Sequence, residues 1–254
     1  MTLLVDIGNS RIKWAQQTAD GLARHGNAFR NEAALQVLLD KHWRHMTAPE
    51  QILVSNVGGP GVADEFTGWT QARWNRTPRF AAVRRSACGV SNAYRDHTQL
   101  GIDRWLAILA AWQKYREPVC IIDCGTALTV DAVDKNGRHQ GGLIIPGLAL
   151  MQESLSVRAP GIRPEVGTAA LSDLADNTAD AVDSGCLTAV VAAIERIIGM
   201  LHEQSGPGFI CLITGGDADY LLPHLTSAAC EAGFRHEPHI VLEGLATFFG
   251  RNTA

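Results

Sequence analysis

The feature that most constrains the fold is a short pattern that occurs twice, nearly half of the 254-residue chain apart. Each copy is an apolar run that reaches an aspartate, followed after one residue by a glycine and then by a small polar residue. The copies are LLVDIGNS, which contains Asp6, and CIIDCGT, which contains Asp123. Such runs predict buried strands, and the alternating residues after each glycine predict a second, paired strand. The duplication predicts two similar lobes, residues 1–116 and 117–254.

The first glycine turn has two interpretations. Asp6 at a strand end can hold a hydrated metal ion, while the turn amides, the Ser10 hydroxyl and Lys13 can hold phosphate oxygens. Alternatively, the stretch is an ordinary hairpin in which Asp6 and Asn9 only form the turn. The second copy favours the phosphate interpretation. It predicts that the two loops face each other and that a nucleotide binds between the lobes.

Composition limits the class of protein. A hydrophobic content of 46% and a charged content of 19% predict a compact protein with a substantial core. The net charge of −4 gives no electrostatic reason to expect nucleic acid as the main partner. The six cysteines form no CxxC pair, which favours reduced thiols in the cytosol over a zinc site. No apolar run is expected to reach the roughly 18 residues of a membrane span, so we expect a soluble cytoplasmic protein without a membrane partner.

A strong helical pattern begins at Trp105, and Asp103 and Arg104 lie just ahead of it. Asp103 can cap the helix N-terminus, where a negative charge is favourable. It can instead accept a proton from a substrate hydroxyl while Arg104 binds a carboxylate. Capping does not explain Arg104, because a cation near a helix start is slightly unfavourable.

Other segments have both a structural and a functional interpretation. Asn31 is predicted to cap a helix over residues 34–43, and residues 80–83 to form a strand. The run from Gly58 to Gly61 is interpreted as a plain connection, since it lacks the lysine and hydroxyl of a P-loop. Thr178 either helps to cap a long helix or directs its hydroxyl at a ligand. Residues 158–168 are predicted to form a loop.

Six motifs together resemble the type III pantothenate kinases, of the acetate kinase/sugar kinase/actin superfamily, over essentially the whole chain. The motifs are DIGNSRIK from Asp6, GIDRW from Gly101, DCGTALTVD from Asp123, GGLIIPG from Gly141, NTADAVDSG from Asn177 and TGGDADYL from Thr214. Ser10 stands where that family usually has threonine, and it keeps the hydroxyl. The resemblance implies an α/β fold of two ribonuclease H-like lobes, each βββαβαβ as in actin-like ATPases, with a nucleotide cleft between them.

The resemblance also implies an activity, ATP-dependent phosphorylation of pantothenate to 4'-phosphopantothenate, the first step of coenzyme A biosynthesis. It implies a homodimer, Mg²⁺ with ATP near Asp6, a monovalent cation (K⁺ or NH₄⁺) at Asp123, and Asp103 as proton acceptor. The implied ATP-binding residues are Asp6, Ile7, Gly8, Asn9, Ser10, Arg11, Ile12, Lys13 and Thr126. The implied pantothenate-binding residues are Tyr94, Gly101, Ile102, Asp103, Arg104 and Thr178.

Two other functions are compatible with the residues. One is an enzyme that uses another acceptor, such as a sugar, or a nucleotide phosphatase; the Gly101–Arg104 cluster favours a small acceptor that bears a carboxylate. The other is a regulatory or binding protein that kept the fold and lost catalysis. The presence of Asp6, Asp103 and Asp123 argues against that second alternative.

Overall fold

The computed structural model describes residues 1–19, 21–159, 161–162, 174–205, 208–226 and 233–250. The chain forms two compact units. The first contains Met1–Arg116, Lys135–Gly141 and His239–Ala254, and the second contains Glu117–Asp134 and Gly142–Pro238. The predicted loop over residues 158–168 lies largely outside the described residues.

The first unit is built on a five-stranded sheet in the order β3-β2-β1-β4-β5. Strand β1 is antiparallel to β2 and parallel to β4. The elements, in chain order, are β1 (Thr2–Ile7), β2 (Arg11–Thr18), β3 (Gly21–Phe29), α1 (Leu35–Trp43), β4 (Gln51–Asn56), α2 (Pro60–Trp74), β5 (Arg79–Phe80), β6 (Ser86–Ala87), β7 (Val90–Ser91) and α3 (Ile102–Tyr115).

One face of this sheet packs against α1 and α2. Leu3, Val5 and Ile7 lie on this face because successive strand residues point to opposite sides. They form one buried cluster with Trp43 of α1 and Phe66 of α2, whose ring centres are 6.0 Å apart in an edge-on arrangement. Large aromatic side chains of this kind supply much of the buried apolar area in a core.

Helices α3 and α7 (Ile240–Gly250) pack against each other, and both contact the sheet. Neither helix contributes to the cluster with α1 and α2, so both cover the opposite face. A Cβ atom on Gly244 of α7 would lie 2.2 Å from the main-chain oxygen of Leu106, which explains the glycine at this close approach. Because α7 comes from the C-terminal end, the first unit is discontinuous, unlike the predicted lobe 1–116.

The second unit repeats the arrangement of the first. Its sheet has the order β10-β9-β8-β11-β12, in which β8 is antiparallel to β9 and parallel to β11. The elements are β8 (Val119–Cys124), β9 (Ala127–Val133), β10 (His139–Pro146), α4 (Leu148–Arg158), α5 (Thr178–Ser205), β11 (Ile210–Thr214), α6 (Ala218–Leu221) and β12 (Phe234–His236). Asp6 and Asp123 are each the fifth residue of a six-residue strand, so the predicted duplication is confirmed.

Two predicted features of the first unit are wrong. Asn31 does not cap α1, because Glu32 closes a turn onto Phe29 first and the helix begins at Leu35 without a side-chain cap. The strand predicted over residues 80–83 ends at Phe80, because β4 and β5 stay in register only over two residue pairs.

Helix α5 does not agree with the prediction that no apolar run is long enough to span a membrane. By length and composition alone, Thr178–Gln204 could cross one. Leu187, Val190, Ile194 and Ile198 recur every three or four residues and are buried in the core of the second unit. A core helix passes the same test, so this single helix is weak support for a membrane span.

Candidate functional site

In the first unit, strand pairing brings a cation, a carboxylate and a hydroxyl into one row. Asp6 pairs with Lys13 of β2 and with Ser55 of β4. Residues directly opposite in neighbouring strands lie on the same face, which here is the face covered by α3 and α7. Asp6 is 8% exposed, whereas Ser55 is fully buried and its Oγ has no hydrogen-bond partner among the described residues. This row places a nearly buried carboxylate beside the glycine turn.

The turn between β1 and β2, residues 8–10, is tight. The Gly8 N–H donates to the Arg11 oxygen at 2.9 Å, and a Cβ on Gly8 would lie 3.1 Å from that same oxygen. Asn9 and Ser10 are exposed at the tip. The predicted strand–turn–strand unit is therefore confirmed, and its tip is accessible to an anion. Ile7 and Ile12 are buried in the core, so only their main chains are available to a ligand.

The second unit contains an equivalent row with a different composition. Asp123 of β8 pairs with Thr129 of β9 and with Thr214 of β11. Two hydroxyls thus flank the Asp123 carboxylate, whereas a lysine, Lys13, and one hydroxyl, that of Ser55, flank Asp6. The two rows therefore differ in composition, because no lysine pairs with Asp123 in the strand register.

The pKa of the Cys124 thiol reflects the negative charge around Asp123. Burial raises the pKa of its thiol, and the negative charges of Asp123 and Asp217 raise that pKa further. The Asp217 N–H also donates to the Cys124 oxygen at 2.9 Å. The thiol therefore stays protonated at neutral pH and offers no thiolate to a soft metal, while two carboxylates lie close to the same residue.

These residues fit hard cations. Mg²⁺ is commonly held by one or two carboxylates together with substrate phosphates, and K⁺ by oxygen atoms alone. Asp6 and Asp123 each supply such a carboxylate. Within the described ranges, no three His, Cys, Asp or Glu side chains converge as a complete metal cage. Either carboxylate could therefore hold a hard cation together with oxygen atoms of a ligand.

The loop after Asp123 is held by the start of α4. The Gly147 N–H donates to the Thr126 oxygen at 3.0 Å, and a Cβ on Gly147 would lie 2.2 Å from the Gly125 oxygen. Only a glycine allows this approach without a main-chain shift. Thr126 itself is exposed.

A second cluster in the first unit contains the predicted acceptor-binding residues other than Thr178. The Arg104 Nη1 donates to the Tyr94 hydroxyl oxygen at 3.0 Å, and the guanidinium carbon lies 5.7 Å from the Tyr94 ring centre. Arg104 is only 7% exposed, and a buried cation requires such partners. Gly101 and Asp103 adjoin it at the start of α3. Ile102 is buried, so its side chain belongs to the core.

Asp103 is not the helix cap. Gly101 occupies the N-cap position, and Asp103 lies in the first turn of α3. Its Oδ1 accepts the Arg104 N–H at 2.8 Å. A carboxylate in this turn is stabilised by the helix dipole, so the structural contribution of Asp103 is moderate. It is half-buried beside Arg104.

His139 is a buried neighbour of this cluster that the sequence did not indicate. Its ring stacks on that of Tyr94, with 6.0 Å between centres and 15° between planes. Its Nδ1 accepts the Ala93 N–H at 3.4 Å, and the Asn92 Oδ1 accepts the Tyr94 N–H at 2.9 Å. His139, at the start of β10, thus packs against the Tyr94 ring, and the two hydrogen bonds hold the main chain of residues 93 and 94.

Thr178 belongs to the second unit, at the first residue of α5. The Asn177 Oδ1 accepts the Asp180 N–H at 3.0 Å, so Asn177 is the cap and the Thr178 hydroxyl is not needed for that purpose. Thr178 lines a cavity of about 740 Å³ whose wall includes Met151, Leu155 and other residues of α4 and α5. The cavity wall is mostly apolar, with polar groups at the start of α5.

The predicted site residues thus fall into two groups, one in each unit. The first unit contains the turn of residues 8–10 and the Tyr94–Arg104 cluster, and the second contains Asp123, Thr126 and Thr178. The meeting of the two aspartate loops around one nucleotide stays a prediction. Ser55 could have been proposed as a site residue from its place near the end of β4. Its alignment with Asp6, however, is known only from the strand register.

Comparison with known proteins identifies the family. The family profile described as type III pantothenate kinase matches residues 2–200. The chain belongs to the type III pantothenate kinase family. A type III pantothenate kinase of Nitrosococcus oceani is 40% identical over 251 residues, which cover 97% of this chain and 92% of the relative. One of Nitrosospira multiformis is 36% identical over 245 residues, covering 96% of this chain and 89% of the relative.

Solved structures support the fold. A protein from Campylobacter jejuni described as a Baf family transcriptional activator matches with a TM-score of 0.58 and 21% identity, over 99% of this chain and 98% of its own. A Sinorhizobium meliloti protein described as a 2-dehydro-3-deoxygalactonokinase matches with a TM-score of 0.55 and 17% identity, over 97% of both chains. At these identities the likeness concerns the fold alone, and it confirms the predicted α/β fold of the sugar kinase and actin-like ATPase type.

Proposed function

We propose that this member of the family transfers the γ-phosphoryl group of ATP to pantothenate, giving 4'-phosphopantothenate, the first step of coenzyme A biosynthesis. The observation that carries the proposal is the cluster of Tyr94, Asp103 and Arg104. It combines a carboxylate with a cation held by an aromatic hydroxyl. Pantothenate has both groups that such a cluster would bind, a terminal hydroxyl and a carboxylate.

The turn of residues 8–10 is proposed to bind the ATP phosphates. Its exposed tip offers main-chain N–H groups, and Lys13 supplies a positive charge next to Asp6. Asp6 would hold Mg²⁺, and Asp123 would hold K⁺ or NH₄⁺, with Thr126 touching the nucleotide. These cations would neutralise charge on the transferring phosphoryl group. The remaining ATP-binding positions are proposed to be Ile7, Gly8, Asn9, Ser10, Arg11 and Ile12.

Asp103 is proposed to accept the proton of the attacking hydroxyl. Its position in a rigid helix start lets it hold that hydroxyl in line with the γ-phosphorus, and such positioning contributes as much as proton transfer. Arg104 would bind the acceptor carboxylate, with its guanidinium fixed by Tyr94. A neutral sugar offers Arg104 no carboxylate to bind, which disfavours sugars as acceptors.

The protein is further proposed to be a cytoplasmic homodimer. The second unit exposes apolar side chains on β10 and α4: Leu143 is 45% exposed, Ile144 65% and Val157 68%. A group of exposed apolar side chains commonly marks an interface. A second copy of the chain would cover them and would bring Thr178 near an acceptor pocket. Light scattering of the purified protein should give twice the mass of 27.3 kDa; a monomer at micromolar concentration contradicts this part.

The proposal is tested by measuring ADP release with ATP and Mg²⁺ in the presence of pantothenate, a sugar panel or no acceptor, with and without K⁺. We expect ADP release that requires pantothenate and increases with K⁺. Turnover with a sugar only, or phosphate release without any acceptor, would support one of the alternative enzymes. No turnover with any acceptor would favour a binding protein.

A further inference from the structure

We propose that Arg30 is a positioning residue that orients the main-chain N–H groups of the turn of residues 8–10 toward the phosphates. The inference rests on the phosphate-binding function proposed for that turn. Arg30 directly follows β3 and is half-buried. It therefore approaches the turn from the neighbouring strand and does not need to touch ATP.

Arg30 donates to three successive carbonyl oxygens of the turn. Its Nη1 lies 2.8 Å from the Gly8 oxygen and 3.4 Å from the Asn9 oxygen. Its main-chain N–H donates to the Ser10 oxygen at 2.9 Å. One residue thus fixes the carbonyl side of the whole turn, and hydrogen bonds from a charged donor are stronger than neutral ones.

Peptide geometry converts these bonds into an orientation of the N–H groups. In a planar trans peptide, the N–H points opposite to the carbonyl of the preceding residue. The two carbonyls held by the guanidinium therefore direct the N–H groups of Asn9 and Ser10 away from Arg30. Successive N–H groups on one side of a turn form an anion-binding concavity. The positive charge on the carbonyl side also polarises the same peptides, which strengthens the N–H donors.

The loop after β4 leaves room for the guanidinium. A Cβ on Gly58 would lie 2.8 Å from the Arg30 Nη1. The Asn56 Oδ1 accepts the Gly58 N–H at 3.0 Å, and its Nδ2 donates to the Gly59 oxygen at 2.9 Å, which fixes this loop. Gly58 does not have a left-handed φ, so an alanine there is compatible with the main chain. Its Cβ would displace the Arg30 guanidinium and would also lie 3.2 Å from the Asn56 Oδ1, which would have to shift by a few tenths of an ångström.

The geometry provides two test variants and a control. Arg30→Met removes the guanidinium, whereas Gly58→Ala keeps the charge and displaces it. Arg76→Met is the control, because Arg76 also donates to two main-chain oxygens, those of Pro49 at 3.1 Å and Asn75 at 3.2 Å, away from the turn. For each variant we would measure KM for ATP and for pantothenate, kcat, and hydrogen exchange of the Gly8 amide, which is bonded inside the turn.

We expect Arg30→Met to raise KM for ATP about 10- to 100-fold, the loss expected for charged hydrogen bonds, and to leave KM for pantothenate within about twofold. Gly58→Ala should shift KM for ATP in the same direction, and Gly8 exchange should accelerate in both variants but not in Arg76→Met. With an active wild type, an unchanged KM for ATP in Arg30→Met or in Gly58→Ala overturns the positioning role. An inactive wild type refutes the proposed function, and the KM comparison then does not apply. In that case, unaltered exchange of the Gly8 amide in Arg30→Met and Gly58→Ala would still overturn the positioning role of Arg30.

Discussion

Gly215 should be the least replaceable of the second unit's glycines that the structure describes. It follows β11 with a φ of +102°, in the region that favours glycine. A Cβ there would lie 2.2 Å from the Cys124 oxygen, 2.4 Å from its carbonyl carbon and 2.5 Å from its nitrogen. All three are main-chain atoms at the end of β8, so no side chain can move aside.

The cost of Gly215→Ala has two parts. A left-handed conformation costs an alanine about 1–2 kcal/mol, and overpacking against a fixed main chain adds about 1–3 kcal/mol. The sum, about 2–5 kcal/mol, is a large fraction of the 5–15 kcal/mol by which domains are typically stable. For a chain of this size we expect the melting temperature to fall by at least about 4 °C.

The assay is thermal unfolding followed by circular dichroism, with Gly199→Ala as the matched control. Gly199 lies inside α5, and a Cβ there would meet no atom within 4 Å. The control should be stabilised by about 0.5–1 kcal/mol, because alanine favours a helix interior. A Gly215→Ala protein that melts within about 1 °C of the wild type would refute the steric reasoning.

Three further predictions concern single side chains. Asp103→Asn should lower kcat by about two to four orders of magnitude with little change in melting temperature, since an amide oxygen can still accept the Arg104 N–H; an unchanged initial rate removes Asp103 from the mechanism. Ser55→Ala should raise the free energy of unfolding in urea by about 1 kcal/mol, because it removes a buried hydroxyl that has no hydrogen-bond partner in the described part of the chain; a decrease would contradict that account. Cys124 is buried and its thiol pKa is raised, so peptide mapping after iodoacetamide treatment near pH 8 should find it unmodified in the native protein; modification as fast as that of the half-buried Cys88 would contradict this.

The architecture could be predicted because the pattern of apolar strand, aspartate and glycine turn lies within a few residues and occurs twice in the sequence. The runs that contain Asp6 and Asp123 indicate matching strands, and the glycine after each indicates the turn. The details that failed depend on tertiary context. Asn31 has the side chain of a cap, but the turn closed by Glu32 sets where α1 begins. Asp103 likewise has capping chemistry, yet the N-cap of α3 lies two residues earlier, at Gly101.

The candidate site was predictable where its residues are close in sequence. Asp103 and Arg104 are adjacent, and the family resemblance indicated Tyr94 as well. Ser55 is aligned with Asp6 by strand register. Arg30 reaches the turn of residues 8–10 through hydrogen bonds, and His139, at the start of β10, stacks on Tyr94. No local pattern contains that information, because each of these residues has an ordinary sequence environment.

The most direct test of the central claim is identification of the product. The purified protein would be incubated with ATP, Mg²⁺, K⁺ and pantothenate, and the mixture analysed by mass spectrometry and phosphorus NMR. We predict 4'-phosphopantothenate in amounts equal to the ADP formed. ADP with free phosphate and no phosphorylated pantothenate would contradict the account.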